Sequence, residues 1–145
     1  MELNRPRVLL VDDDELMLEA LRRQLREYFD VTVASEGKEA LRLVVSERPF
    51  AVVVSDLRMP GMDGVSLLYC MWQAAPNTVR VLLTGSADVE SAVAAVNQAK
   101  IFRLLTKPCP THMLIRALED SVEQYRRVIE ARGGNGGMSI ATPKE

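Results

Sequence analysis

Five short runs of valine, leucine and isoleucine, spaced along the chain with helical periodicity between them, constrain its fold more than any other feature. The runs are Val8-Leu9-Leu10-Val11, Val31-Thr32-Val33-Ala34, Ala51-Val52-Val53-Val54, Val79 to Leu83 and Ile101 to Leu105. The first, third and fourth are almost continuously apolar, the pattern of strands covered on both faces. In the gaps, apolar residues recur at helical spacing. The stripes are Leu18, Leu21, Leu25 and Tyr28; Ala40, Leu41, Val44 and Val45; Val65, Leu68 and Trp72; and Val89, Val93 and Val96. A longer stripe carries Ile115, Leu118, Val122, Tyr125 and Ile129. Turn signals such as Arg48-Pro49, Pro60-Gly61 and Ala75-Pro76-Asn77 separate the segments. Five alternations of strand and helix predict an α/β domain: a five-stranded parallel sheet flanked by five helices, with right-handed crossovers.

Composition narrows the function classes. At 145 residues the chain suits one domain with a real core. Eighteen basic and twenty acidic residues give a net charge of -2, so no basic nucleic-acid-binding surface is expected. The longest apolar runs are far below the roughly 18 residues that span a bilayer. No N-terminal signal pattern is visible, and a cytoplasmic location without membrane contact is expected. Cys70 and Cys109 match neither a disulfide framework nor a metal-binding spacing. Residues 1–130 are expected to form the domain, and the glycine-rich 131–145 a linker or disordered tail.

Open parallel sheets carry their sites beyond the carboxyl ends of the strands. Here those ends hold Asp12 and Asp13, Asp56, Thr84, and Lys107-Pro108. Clustered carboxylates raise one another's proton affinity and need a cation among them. Magnesium suits all-oxygen ligands and commonly binds through one or two carboxylates together with a phosphate. With a lysine charge and a threonine hydroxyl added, the set suits a transferring phosphoryl group, with Asp56 as nucleophile.

Four motifs then bring a family into view. "VLLVDDD" (Val8–Asp14), "VVVSDLRMPGMDG" (Val52–Gly64), the "VLLTG" segment ending at Gly85 and "LTKP" (Leu105–Pro108) resemble the receiver domain of two-component response regulators, in order and over roughly residues 5–130. The resemblance implies a flavodoxin-like sheet with strand order 2-1-3-4-5, an order for which a member of this family is a standard example. It further implies that Asp56 accepts phosphate from a sensor histidine kinase. Asp12, Asp13, Asp56 and the backbone carbonyl of Arg58 would hold Mg²⁺, Lys107 would contact the phosphate, and Thr84 would move towards it. The Lys107-Pro108 bond would be cis. The face formed by the fourth helix, fifth strand and fifth helix would switch to control an output domain or downstream partner. One departure concerns that readout: Leu104 stands where receivers often carry a mobile aromatic, with Phe102 two residues earlier.

Each site residue also has a plainer reading. Asp12-Asp13-Asp14 could be a helix N-terminus, and Asp14 is expected to cap. Asp63 reads as a turn former before Gly64, Thr84 as the end of a β-branched strand, and Lys107 as a solvated loop lysine. Singly these readings are sound; four motifs in register favour the site. His112 reads as a surface residue, Cys70, Met59 and Met62 as packing, and Trp72 as core. Arg58 and Ser86 are candidates for tuning the lifetime of the phosphoryl group. The last apolar stripe could continue as a short coiled coil and form a homodimer. Two other function classes stay open: a phosphate-independent interaction module, and a small-molecule phosphatase. The latter lacks a general acid two residues past Asp56, where Arg58 sits.

Overall fold

The computed structural model describes residues 5–134. Five parallel strands, β1 (Arg7–Val11), β2 (Asp30–Ala34), β3 (Val52–Asp56), β4 (Val79–Gly85) and β5 (Arg103–Lys107), form one sheet in the order β2-β1-β3-β4-β5. Helices α1 (Glu15–Leu25), α2 (Gly37–Ser46), α3 (Gly64–Ala74), α4 (Val89–Ala99) and α5 (Thr111–Ile129) alternate with them. Both the expected class and the expected strand order are observed.

Period-two alternation along the central strands divides the core. Val8, Leu10, Val52, Val54, Val81 and Leu83 pack on Leu18 and Leu25 of α1 and Leu114, Leu118 and Val122 of α5. Leu9, Val11, Val53 and Leu82 face the opposite way, onto Ala40 and Leu43 of α2, Leu67, Leu68 and Met71 of α3, and Ala92 and Ala99 of α4. Central strands buried on both faces are therefore apolar over most of their length, with the polar exceptions Ser55 and Asp56 of β3 and Arg80 and Thr84 of β4. Edge strands β2 and β5 are only partly covered.

Several stripe assignments shift by one or two positions. Helix α1 ends at Leu25, so Tyr28 lies in the following turn and is exposed, while Phe29 takes the buried place. Val45 is exposed because α2 buries Gly37, Ala40 and Leu43. Helix α4 meets the sheet through Ala92, Ala95 and Ala99, which turns Val93 to solvent. Trp72 is half-buried rather than core: it packs edge-on against Tyr69 and lies beneath the Lys100 ammonium at 5.5 Å. Ile101 precedes β5. Its N–H donates to the Val96 carbonyl at 3.0 Å across a left-handed Lys100 (φ 53°) that ends α4.

Helix α5 buries Leu114, Ala117, Leu118, Ser121 and Val122, whereas Ile129 is exposed. Helical backbone continues as a π-turn through Glu130–Gly134. The rest of the expected tail, 135–145, lies outside the described residues. Among the described residues no helix is long and apolar enough to cross a membrane.

Candidate functional site

Three strand ends converge at one rim of the sheet. Asp12 directly follows β1, Asp56 is the last residue of the neighbouring β3, and Lys107 closes β5. Asp12 and Asp56 are buried, Asp13 is exposed, and one carboxylate oxygen from each lies within 4.8 Å of the others. Lys107 Nζ sits 2.9 Å from Asp56 Oδ1 and 3.4 Å from Asp12 Oδ2. The lysine thus balances part of the negative charge that the strands bring together.

The electrostatics follow from this geometry. Burial pushes the Asp12 carboxyl above its ordinary value. The Asp56 charge adds to that, while the Asp14 N–H (2.9 Å to Oδ1) and Lys107 act against it. For Lys107, burial favours the neutral amine, but the hydrogen bond to Asp56 and the charges of Asp12 and Asp56 outweigh it, so its ordinary value is raised. Three carboxylates around a single ammonium leave surplus negative charge. With oxygen-only donors, that surplus is compatible with a hard divalent ion such as Mg²⁺.

Neighbouring residues hold the rim in shape. Asp14 accepts a hydrogen bond from the Met17 N–H at 3.1 Å and so caps α1, as expected. Asp63 does the same for α3 through the Ser66 N–H at 2.9 Å, which makes it a helix cap as well as a turn residue. Gly61 has φ of 81°, the left-handed backbone that the Met59-Pro60-Gly61 turn requires. Met59 is buried and Met62 packs against the core, in keeping with their reading as loop packing. The Lys107-Pro108 bond is cis. His112 is exposed and Cys70 is half-buried.

Two expected site residues stand slightly apart from the cluster. Thr84 is fully buried at the end of β4, and its hydroxyl donates to the Gly85 carbonyl at 3.3 Å. Arg58 lies two residues beyond Asp56, but its side chain turns to Asp88, a residue that the sequence reading passed over. Gly64 was missed too. A Cβ at this position would meet the Asp56 carbonyl oxygen at 2.2 Å, so α3 can start this close to β3 only from a glycine. The signal was available in the Met-Asp-Gly sequence, where the glycine reads equally well as a simple turn residue.

The family model for the response regulator receiver domain matches residues 8–119. The chain belongs to this family. It is 36% identical over 132 residues to the hydrogenase transcriptional regulatory protein HoxA of Cupriavidus necator, covering 90% of this chain and 26% of that protein. The transcriptional regulatory protein GlrR of Escherichia coli is 38% identical over 126 residues, 86% of this chain and 28% of that protein. Among solved structures, that titled adenylate cyclase from Rhodopirellula baltica superposes with a TM-score of 0.84 at 39% identity, covering 87% of this chain and 93% of that one. The chain therefore spans about a quarter of the length of these curated relatives. Receivers are signalling modules of two-component systems, and the fold and motifs of this chain are those of the family.

Proposed function

We propose that this receiver is a Mg²⁺-dependent phosphoacceptor that takes a phosphoryl group from a sensor histidine kinase onto Asp56 and switches an output. The observation that carries this reading is the convergence of Asp12, Asp13 and Asp56 within 4.8 Å, with Lys107 at 2.9 Å from Asp56. In the transfer, an Asp56 carboxylate oxygen bonds to phosphorus while the bond from phosphorus to the donor imidazole breaks. The imidazole leaves with the bonding pair and takes a proton from solvent, and Asp56 becomes an acyl phosphate. Lys107 pairs with the phosphoryl oxygens, and the Thr84 hydroxyl exchanges the long bond to Gly85 for one to the phosphoryl group. Asp12, Asp13, Asp56 and the Arg58 carbonyl would hold Mg²⁺, which would supply positive charge against the transferring group. Beyond its own phosphorylation and dephosphorylation the receiver turns over no substrate.

The switched surface in this reading comprises α4, β5 and α5, and it acts on an output domain or a separate protein in the cytoplasm. A homodimer through the last turns of α5 belongs to the same proposal. Incubation with acetyl phosphate and Mg²⁺ followed by intact-mass measurement tests the central step. One phosphoryl adduct is expected, absent in Asp56→Ala and absent without Mg²⁺. An adduct that persists in Asp56→Ala, or none in the wild type, would refute the assignment.

A further inference from the structure

Arg58 is an exposed residue with a fixed partner. Its Nε donates to Asp88 Oδ2 at 3.1 Å and its Nη2 to Asp88 Oδ1 at 2.6 Å, a two-pronged pair. The pair links the loop that follows the phosphoacceptor strand to the 3-10 turn Ser86–Asp88, which joins β4 to α4. It therefore bridges two segments that leave the site, one from Asp56 and one from Thr84.

Asp88 also occupies the position immediately before α4, where an aspartate normally accepts a hydrogen bond from the second or third amide of the helix. Asp14 and Asp63 do so from the equivalent positions of α1 and α3, both with extended backbone. Asp88 does not: it makes no side-chain cap bond, and its backbone (φ -109°, ψ 8°) is not extended. The 3-10 turn Ser86–Asp88 holds its backbone away from the capping conformation, and its carboxylate is engaged by Arg58, so pairing and capping are mutually exclusive uses of one group. An exposed ion pair and a helix cap are of similar strength, so a modest new charge near Arg58 can decide between them.

We propose that Asp88 is a two-position carboxylate, paired with Arg58 while Asp56 is free and capping α4 once a phosphoryl group on Asp56 draws Arg58 away. The proposal rests on the phosphoacceptor reading. A phosphoryl group brings a charge of about -2 close to a guanidinium whose fork geometry suits phosphate oxygens. Capping requires the Asp88 backbone to become extended, which unwinds the 3-10 turn and re-seats the first turn of α4. Helix α4 can accept such a shift because its buried residues are the small Ala92, Ala95 and Ala99, with Val96 the one larger α4 side chain packed against the core cluster. Leu104, in place of an aromatic, already packs against the core cluster that contains Ala92 and Ala99. The signal then leaves through the β4–α4 connection and needs no aromatic on β5.

Amide hydrogen exchange by NMR on the full chain tests this at Ser91, the third residue of α4. Without phosphodonor, Arg58→Ala should slow Ser91 exchange about fivefold, the worth of one side-chain cap. Arg58→Ala/Asp88→Ala should abolish the gain. Asp88→Ser, which can cap but cannot pair with Arg58, should slow exchange by itself. In the wild type, beryllofluoride with Mg²⁺ should produce the Arg58→Ala pattern. Unchanged Ser91 exchange in Arg58→Ala would overturn the competition. Unchanged exchange with beryllofluoride, in protein that acetyl phosphate does convert to the adduct, would overturn the coupling and leave the phosphoacceptor reading intact. Absence of any adduct would instead overturn that reading together with the coupling, while the Arg58→Ala comparison still decides whether the two uses compete.

Discussion

Gly64→Ala probes how the strand that carries Asp56 is held. The new Cβ would lie 2.2 Å from the Asp56 carbonyl oxygen, 2.9 Å from its carbonyl carbon and 3.0 Å from Leu57 Cα. Each is a main-chain atom, so no side chain can rotate away. Ordinary contact begins near 3.4 Å, and the joint between β3 and α3 must therefore open by more than 1 Å. It is closed on both sides: the Gly64 N–H donates to the Leu57 carbonyl at 2.8 Å, and Leu67 and Leu68 anchor the helix in the core. Overpacking of this kind costs about 1–3 kcal/mol, and the backbone location puts this case at about 3 kcal/mol. A displacement of about 1 Å at a reacting group can cost about 100-fold in rate. Urea denaturation should show the stability loss, and intact-mass time courses with acetyl phosphate should show a phosphorylation rate lower by one to two orders of magnitude. Gly85→Ala is the control, because a Cβ there meets nothing within 4 Å and stability should barely change. Wild-type stability together with wild-type phosphorylation in Gly64→Ala would refute the claim that this close approach positions Asp56.

Three further outcomes follow from particular contacts. Arg80 is buried, and its guanidinium donates to the carbonyls of Thr78 (2.6 Å) and Ala99 (3.1 Å), with a longer bond to Lys100 (3.2 Å). Burial lowers its pKa to about 10. Arg80→Ala would strip these carbonyls of their donor and should cost about 2–4 kcal/mol in urea denaturation, whereas a change below about 1 kcal/mol would contradict that role. Lys100→Gly relieves the left-handed backbone at the end of α4 but loses the contact over Trp72; a net gain of about 0.5–1 kcal/mol is expected, and any loss would refute the balance. Asp12→Asn removes one of three crowded carboxylates. Its thermal midpoint without Mg²⁺ should equal or exceed that of the wild type, and should not rise when millimolar Mg²⁺ is added as the wild-type value should; an unchanged Mg²⁺ response would remove Asp12 from the ligand set.

The fold was legible because strand burial imposes a nearly continuous apolar signature that no neighbouring element can hide. Val8 to Val11 and Val52 to Val54 read as doubly covered strands from sequence, and they are. Helix faces were less legible. Alanine carries little hydrophobic signal, so the valines of α4 read as its core face, whereas its buried residues are Ala92, Ala95 and Ala99; of the valines, Val96 packs against the core and Val93 is exposed. Tyr28 was misplaced because a helix end one turn earlier changes the period that the count relies on. At the site, the acidic side chains and Lys107 announced themselves by lying at strand ends. Gly64 and Asp88 did not, because their roles depend on distances between loops far apart in sequence. An aspartate before a helix looks like a cap whether or not its carboxylate is engaged elsewhere.

The arrangement of charge at the rim is costly to the resting fold, and that cost gives a bound group leverage. Two buried carboxylates share a single lysine, and a third lies within 4.8 Å of them. Whatever neutralises the surplus is favoured over the bare site without any new apolar contact. Reversing a two-state equilibrium from 1:99 to 99:1 needs about 5.5 kcal/mol of differential stabilisation. Hydrogen bonds to charged groups contribute about 1.5–3 kcal/mol each, so bonds from Lys107, Thr84 and Arg58 to a phosphoryl group are of sufficient size together. The Arg58 contribution is offset in part by the pair it abandons at Asp88, and a cap on α4 returns a comparable amount. The exchange therefore changes little in energy while changing the start of a helix. A switch of this kind places its large energies at the carboxylates and its movement one loop away, at the start of α4.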